Sequence, residues 1–192
     1  MSVPRRHVVS RPVLRALRAF IMADRGSPAI EFAIIAPILC LLLVAIVDFG
    51  LVFYIRLSLN QSVSASANFA MVNAANVSSG SGAALAGSLA AIIPTGNDAT
   101  IVVNNGPALR RIGGVVTLSG TAASADLSYC PTVTANVVSW GSPVVRGAAC
   151  PAGGFGGSFV AVSASDTYAP MFGDYGFVAN GTILVRAIVQ VR

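Results

Sequence analysis

Few side chains in this sequence are equipped for chemistry, and where they stand matters more than how many there are. All twelve basic residues are arginine and lysine is absent, which removes Schiff-base chemistry, Ser-Lys catalysis and the lysine of a phosphate-binding loop. The single histidine, His7, lies in an arginine-rich leader, so a histidine-based triad or a zinc site would have to be assembled around that one residue. Serines are abundant, but no base accompanies them. Asp98, Asp126, Asp166 and Asp174 stand singly, without the spacing of a calcium loop. The expectation is a protein that is not an enzyme and holds no metal and no cofactor. What remains are two acids in apolar surroundings, Glu31 and Asp48, and two cysteines, Cys130 and Cys150, each followed by proline.

One acid lies within a long apolar stretch and the other immediately before it. Phe32 to Phe53 is a run of 22 residues whose single charge is Asp48. As a helix rising about 1.5 Å per residue it would be roughly 33 Å long, enough to cross a hydrocarbon core of about 30 Å. The core helix of a soluble protein is the competing reading, and such helices are usually shorter. The whole chain is 55% hydrophobic and 10% charged, against about 25% charged in a soluble domain, which favours the membrane. Glu31 and Asp48 are 17 residues apart, and at about 100° per residue they point to different faces, so they form no acidic pair.

The charges orient the span. Residues 1–25 hold six arginines (Arg5, Arg6, Arg11, Arg15, Arg18 and Arg25) against Asp24, whereas only Arg56 follows the span closely. The positive-inside rule therefore puts the N-terminus in the cytoplasm and everything after about residue 55 outside. The leader accounts for the net charge of +5, because the rest of the chain balances six arginines against six acids. The basic residues are thus a topology signal, and no nucleic-acid partner is expected. Val13, Leu14, Leu17, Phe20 and Ile21 recur at helical spacing opposite Arg15 and Arg18, an amphipathic pattern suited to an anionic membrane face and also found in mitochondrial presequences. A secretory signal peptide would have a shorter apolar core ending at a small-residue site; here the nearest such pattern, Ala65-Ser66-Ala67, lies far beyond it.

Before the span the chain reads Arg25-Gly26-Ser27-Pro28-Ala29-Ile30-Glu31-Phe32. This order makes physical sense if the chain is cut after Gly26, where the absent side chain lets the backbone enter a protease cleft. The new α-amine at Ser27 would be cationic, and Glu31 would lie about one helical turn deep. A carboxylate there is costly unless paired, and the free amine of a neighbouring subunit is its natural partner. Pro28 suits the first turn of a helix, where its missing N–H would be unpaired anyway.

The segment Arg25 to Met71 closely resembles the TadE-like pseudopilins of the tight-adherence (Flp-type) pilus system. The resembling features are Arg25-Gly26, Ala29-Ile30-Glu31-Phe32-Ala33, Pro37, Asp48-Phe49-Gly50 and the small, polar helix that follows. The resemblance implies cleavage after Gly26 by a prepilin peptidase, with Gly26 and Ser27 flanking the cut and Glu31 required for processing and assembly. It implies a minor pseudopilin or assembly factor whose partners are membrane lipid, other pilins or pseudopilins, pilus-assembly proteins and that peptidase. Pro28 departs from the small or aliphatic residues that the family often places after the glycine. Tyr168-Ala169-Pro170-Met171-Phe172 also loosely resembles the family's C-terminal region.

Asp48 has two readings: a partner for a basic group on a neighbouring helix, or a hydrated acid near the outer interface, eight residues before Arg56. Beyond the span a helix is predicted to continue from Arg56 to Asn76, with Val63, Ala67, Ala70 and Ala74 as a stripe of small residues and Ser58, Ser62, Ser64 and Ser66 mostly off it. Residues 83–93 read as a short helix. Strands are predicted at Thr100–Val103, Val115–Leu118, Val133–Val138, Phe159–Val162 and Thr182–Val191. In the last of these Ile183, Val185, Ala187, Val189 and Val191 make one apolar face. Cys130 and Cys150 are 20 residues apart in what would be an oxidising compartment; a bridge between them would stabilise by about 3 kcal/mol. Cys40, within the span, reads as a small apolar residue. The loop between the bridged cysteines, with Trp140 and Arg146, and the Gly153–Gly157 tract read as surface loops.

The resulting expectation is an α+β protein: a single N-terminal transmembrane helix extending into an exported domain with a small antiparallel sheet. Its parts would be a basic cytoplasmic leader (1–26), the span (27–55), an exported helical segment (56–93) and a β-rich domain (94–192). It would sit in a bacterial inner membrane with its C-terminal domain in the periplasm. The alternative is a permanently anchored periplasmic ligand-binding or adhesin domain that keeps its leader.

Overall fold

The computed structural model of the chain describes residues 27–135, 137–171 and 181–192. The leader with Gly26, and Phe172 and Asp174, lie outside the described residues. The chain divides into two compact units, Met1–Ile46 and Val47–Arg192.

Helix α1 runs Ser27–Val72 and contains Pro37. Proline removes one backbone donor from the helical ladder, a gap that membrane helices tolerate. In the first unit none of the described side chains of α1 is buried. Ile30, Phe32, Ile34, Ile38, Leu41 and Leu42 are all more than half exposed, so the helix is apolar all round, which in a helix marks burial in a bundle or a membrane.

In the second unit the same helix becomes one-sided. Asp48, Val52, Leu59, Val63, Ser66 and Ala70 are buried and Ile55 packs against the core. These positions recur every three or four residues, which keeps them on one stripe. Of the predicted stripe, Val63, Ala67 and Ala70 are buried, but Ala74 lies beyond the helix. The helix ends at Val72 rather than Asn76. There the Asn73 backbone amide makes the last helical bond, to the Phe69 carbonyl at 3.0 Å, and its side-chain amide donates to the same carbonyl at 2.9 Å, a side-chain bond of the kind that competes with further helix. A 3₁₀ turn at Ala74–Asn76 follows. Helix α2, Gly82–Ile92, buries Leu85, Ala86, Leu89 and Ala90, and the buried Ser66 hydroxyl on α1 donates to the Leu89 carbonyl at 3.0 Å.

A five-stranded antiparallel sheet covers these helices. Its strands are β1 (Asp98–Val103), β2 (Ala108–Ile112), β3 (Val115–Ser119), β6 (Phe159–Thr167) and β7 (Thr182–Gln190), in the order β3-β2-β1-β6-β7. Alternate residues point inward: Ile101 and Val103 from β1, Leu109 from β2, Val160 and Val162 from β6, and Ile183 from β7. They share one core with Val52, Leu59 and Val63 of α1 and Leu85 and Leu89 of α2. The predicted apolar face of the last strand is present, with Val185, Ala187, Val189 and Val191 packed against that core. The architecture is α+β, as the strand pattern required.

Two strand expectations need correction. No strand was expected at Ala108–Ile112, because its sequence, ALRRI, carries adjacent arginines; it pairs with both β1 and β3. Val133–Val138 is not one strand. It is two short ones, β4 (Thr132–Thr134) and β5 (Val137–Ser139), paired as a hairpin, and the chain reverses where Ala135 takes a φ of 48°.

The β1–β2 turn explains a further buried polar group. Asn104 and Asn105 have φ of 49° and 57°, the left-handed pair that tight hairpins require and asparagine tolerates. The Asn104 side chain donates to the Ala125 and Leu127 carbonyls and accepts from the Phe159 amide at 3.1 Å. It thereby ties the turn to the 3₁₀ segment Ala122–Asp126 and to β6. Gly120 closes the same corner: at φ +89°, a Cβ there would collide with the Gly106 carbonyl.

Candidate functional site

The buried stripe of α1 begins with a charge. Asp48 is 2% exposed, where a carboxylate costs several kcal/mol unless hydrogen-bonded. Its partners come from 120 residues away: the Tyr168 hydroxyl donates to Oδ1 at 2.5 Å and the Met171 backbone amide to Oδ2 at 3.1 Å. Tyr168 follows β6 directly, and its own amide donates to the Gly181 carbonyl at 2.8 Å. The segment leaving β6 is therefore folded so that two of its donors converge on α1. Neither sequence reading of Asp48 included these two donors. The acid accepts a hydrogen bond at each carboxylate oxygen from the segment that follows β6. It joins Asp48-Phe49-Gly50 to Tyr168-Ala169-Pro170-Met171, two stretches noted separately in the sequence. Beside it, the Phe49 and Phe53 rings meet edge-on at 4.7 Å.

The other predicted residues remain apart. Ser27 is the first residue of α1, Glu31 lies exposed near its start, and Gly26 is outside the described residues. Cys130 and Cys150 form a disulfide with Cα atoms 5.6 Å apart, and Cys40 is exposed on α1. The bridge borders a cavity of about 440 Å³ lined with Trp140, Phe155 and Phe159. Trp140 meets the ring of Tyr129 edge-on at 6.0 Å. Among the described residues no group of three His, Cys, Asp or Glu side chains is placed to hold a metal.

Sequence reasoning missed Arg111. It lies on the inner face of β2, 7% exposed. Its Nη1 donates to the Ala90 carbonyl at 3.1 Å, and its Nη2 to Ile93 and Pro94 at 2.9 and 2.7 Å. Nε donates to Asn97 at 3.2 Å. The guanidinium thus caps the last turn of α2, where carbonyls lack helical partners and the dipole favours a cation. The only available signal was a helix end expected near Ile93, without a basic residue of its own.

At the exposed Asp126, the amide of Ser79 donates to the carboxylate at 2.9 Å. Hydrogen bonds from the side chain and backbone of Ser79 hold this carboxyl below the ordinary aspartate range.

Residues 26–68 match the family described as TadE-like protein. No curated protein and no solved structure matches the chain. The family match includes Glu31 and Asp48 but stops within α1, so the sheet and Tyr168 lie outside it. The chain therefore carries a TadE-like segment at residues 26–68, which implies a protein associated with the Tad pilus.

Proposed function

We propose that this protein is a minor pseudopilin or pilus-assembly component of a tight-adherence system, held in a bacterial inner membrane by α1. The observation that carries this reading is the change in α1 at Asp48. Before it the helix is apolar and exposed all round; after it, one stripe is buried under the exported domain. The membrane-crossing part is then Ala29–Val47, 19 residues or about 28 Å of helix, close to a hydrocarbon core of about 30 Å. This is shorter than a span of residues 27–55, because the domain already covers the helix from Asp48. Phe49, Phe53 and Tyr54, all exposed, suit the aromatic belt at the outer interface.

The arginine leader keeps the N-terminus cytoplasmic, and the sheet domain faces the periplasm. A prepilin peptidase removes residues 1–26 and frees the Ser27 amine. Glu31 then pairs with that amine on an adjacent subunit, and the all-round apolar helix packs among pilin helices and lipid. The protein works by packing and protein contact, without catalysis. A Glu31→Gln variant keeps the side-chain shape and removes the charge. It should express, insert and lose assembly into pilus complexes, read by co-purification with the other pilins. Assembly at the wild-type level would remove the amine–carboxylate pairing from the account.

A further inference from the structure

Strand β3 forms one edge of the five-stranded sheet, with β2 as its strand neighbour. All five of its residues, Val115–Ser119, are exposed, whereas β7 at the other edge is half-buried along most of its length. β3 carries no charge and no proline, and it pairs with β2 residue for residue, without a bulge. Charges, prolines and bulges are the usual guards that keep an exposed edge from pairing. Residues 172–180, outside the described part, connect β6 to β7, three and four strands away from β3.

The register fixes which backbone groups face outward. Gly113 and Gly114, with φ of 54° and 81°, join Ile112 to Val115 as a two-residue hairpin turn, whose flanking residues are a hydrogen-bonded pair. Such pairs alternate with non-bonded ones along an antiparallel ladder, so Arg110 bonds across to Thr117 and Ala108 to Ser119. The Arg110 carbonyl does face β3, where it accepts from the Thr117 hydroxyl at 3.3 Å. The amides and carbonyls of Val116 and Leu118 therefore point away from β2, off the edge of the sheet. Among the described residues no turn or loop backbone group bonds to them. The side chains of these two residues lie on the core-facing side, opposite the buried Arg111 and Leu109, yet they are 55% and 66% exposed. The cover that buries β2 stops short of β3.

We infer that β3 pairs with β3 of a second copy of this chain, antiparallel and centred on Thr117, so that the two sheets join edge to edge. In this register Val116 lies opposite Leu118 of the second copy, and the outward amides and carbonyls of both residues are all used. Registers centred on Val116 or on Leu118 would instead set one of these residues against a turn glycine, Gly114 or Gly120. On the core-facing side the two Val–Leu contacts remove exposed apolar surface from water. On the other side Thr117 meets Thr117, a favourable cross-strand pair. With no charge on β3, no like charges stand opposite each other; the nearest arginines, Arg110 of each copy, are three strand spacings or about 14 Å apart, beyond the screening length of about 8 Å. This match of the strand to itself selects a second copy as the occupant, and the two-fold pair it makes is closed. β3 lies beyond the TadE-like segment, so the pairing is independent of the processing scheme above.

The test is cysteine cross-linking of the full chain in detergent micelles, in a Cys40→Ser background that removes the native free thiol. Thr117→Cys faces its own counterpart across a non-hydrogen-bonded pair, with Cα atoms about 4.5 Å apart, inside the range of about 4.4–6.8 Å that a disulfide spans. Val115→Cys and Ser119→Cys stand opposite each other but about 14 Å along the strand from their own counterparts, so they should cross-link only when the two variants are mixed. Dimer on a non-reducing gel is expected from Thr117→Cys at least tenfold faster than from Val115→Cys or Ser119→Cys alone, with the mixture restoring the rate. Association through α1 alone would favour none of the three positions. Val116→Lys, at an exposed site, should slow the Thr117→Cys reaction at least tenfold while Trp140 fluorescence reports an unchanged fold. Equal rates at the three positions, a maximum at another position, or no dimer from Thr117→Cys overturns the inference whether or not the lysine variant folds. An undiminished rate in folded Val116→Lys overturns it as well.

Discussion

Replacing Tyr168 by phenylalanine removes one oxygen atom from the pair it forms with Asp48 and leaves the ring in place. The lost bond, at 2.5 Å to a carboxylate that is 2% exposed, belongs to the class of hydrogen bonds to charged groups worth about 1.5–3 kcal/mol. The Met171 amide still donates to the other oxygen, so the carboxylate is not stripped of partners and the cost stays in that range. Asp48→Asn puts an amide NH₂ against one of two donors and should cost a similar amount. The double variant should then cost less than the two singles together, by about 1–2 kcal/mol, because the second change removes a contact already lost. The measurement is unfolding of the full chain in micelles, followed by the fluorescence of Trp140, the single tryptophan. For a unit spanning Val47–Arg192, Tyr168→Phe should lower Tm by roughly 4–12 °C. Strict additivity of the two variants, or a Tm for Tyr168→Phe within a degree of wild type, would refute the claim that this pair fastens the sheet domain to α1.

Three other outcomes follow from the geometry. Arg111→Met should destabilise the domain by about 3 kcal/mol, since it uncovers the carbonyls at the end of α2; Arg111→Lys should recover only part, because an ammonium cannot reproduce the planar fork, and denaturant titration would measure both. Reduction of Cys130–Cys150 should cost about 3 kcal/mol on the loop-entropy scale for a separation of 20 residues, seen as a lower Tm in the presence of a phosphine reductant. Asp126 is held below the ordinary value of 3.8, so its contribution is fully present above about pH 5 and fades as pH falls through the folded-state value; Asp126→Asn should flatten that part of the acid limb of the stability curve while leaving the remaining carboxylates' share.

Legibility from sequence followed the kind of signal involved. The apolar helix, the alternating face of β7 and the cysteine pair were readable because each depends on local composition or period. The end of α1 was misplaced because an alanine stripe continues to Ala74, while the backbone passes after Asn73 into the 3₁₀ turn Ala74–Asn76. Strand β2 was missed because a buried arginine breaks the expected alternation, and its burial is made possible only by carbonyls from α2 and the turn after it. Asp48 was recognised as a residue needing a partner, but that partner is 120 residues away. Only the closing of the sheet against α1 brings Tyr168 and Met171 to it.

The central claim is that the TadE-like segment is a processed prepilin N-terminus joined to a packing helix. Intact mass of the membrane-extracted protein, produced together with its prepilin peptidase, tests this most directly. The account predicts a chain beginning at Ser27. A chain that retains residues 1–26 in the presence of the active peptidase would contradict it.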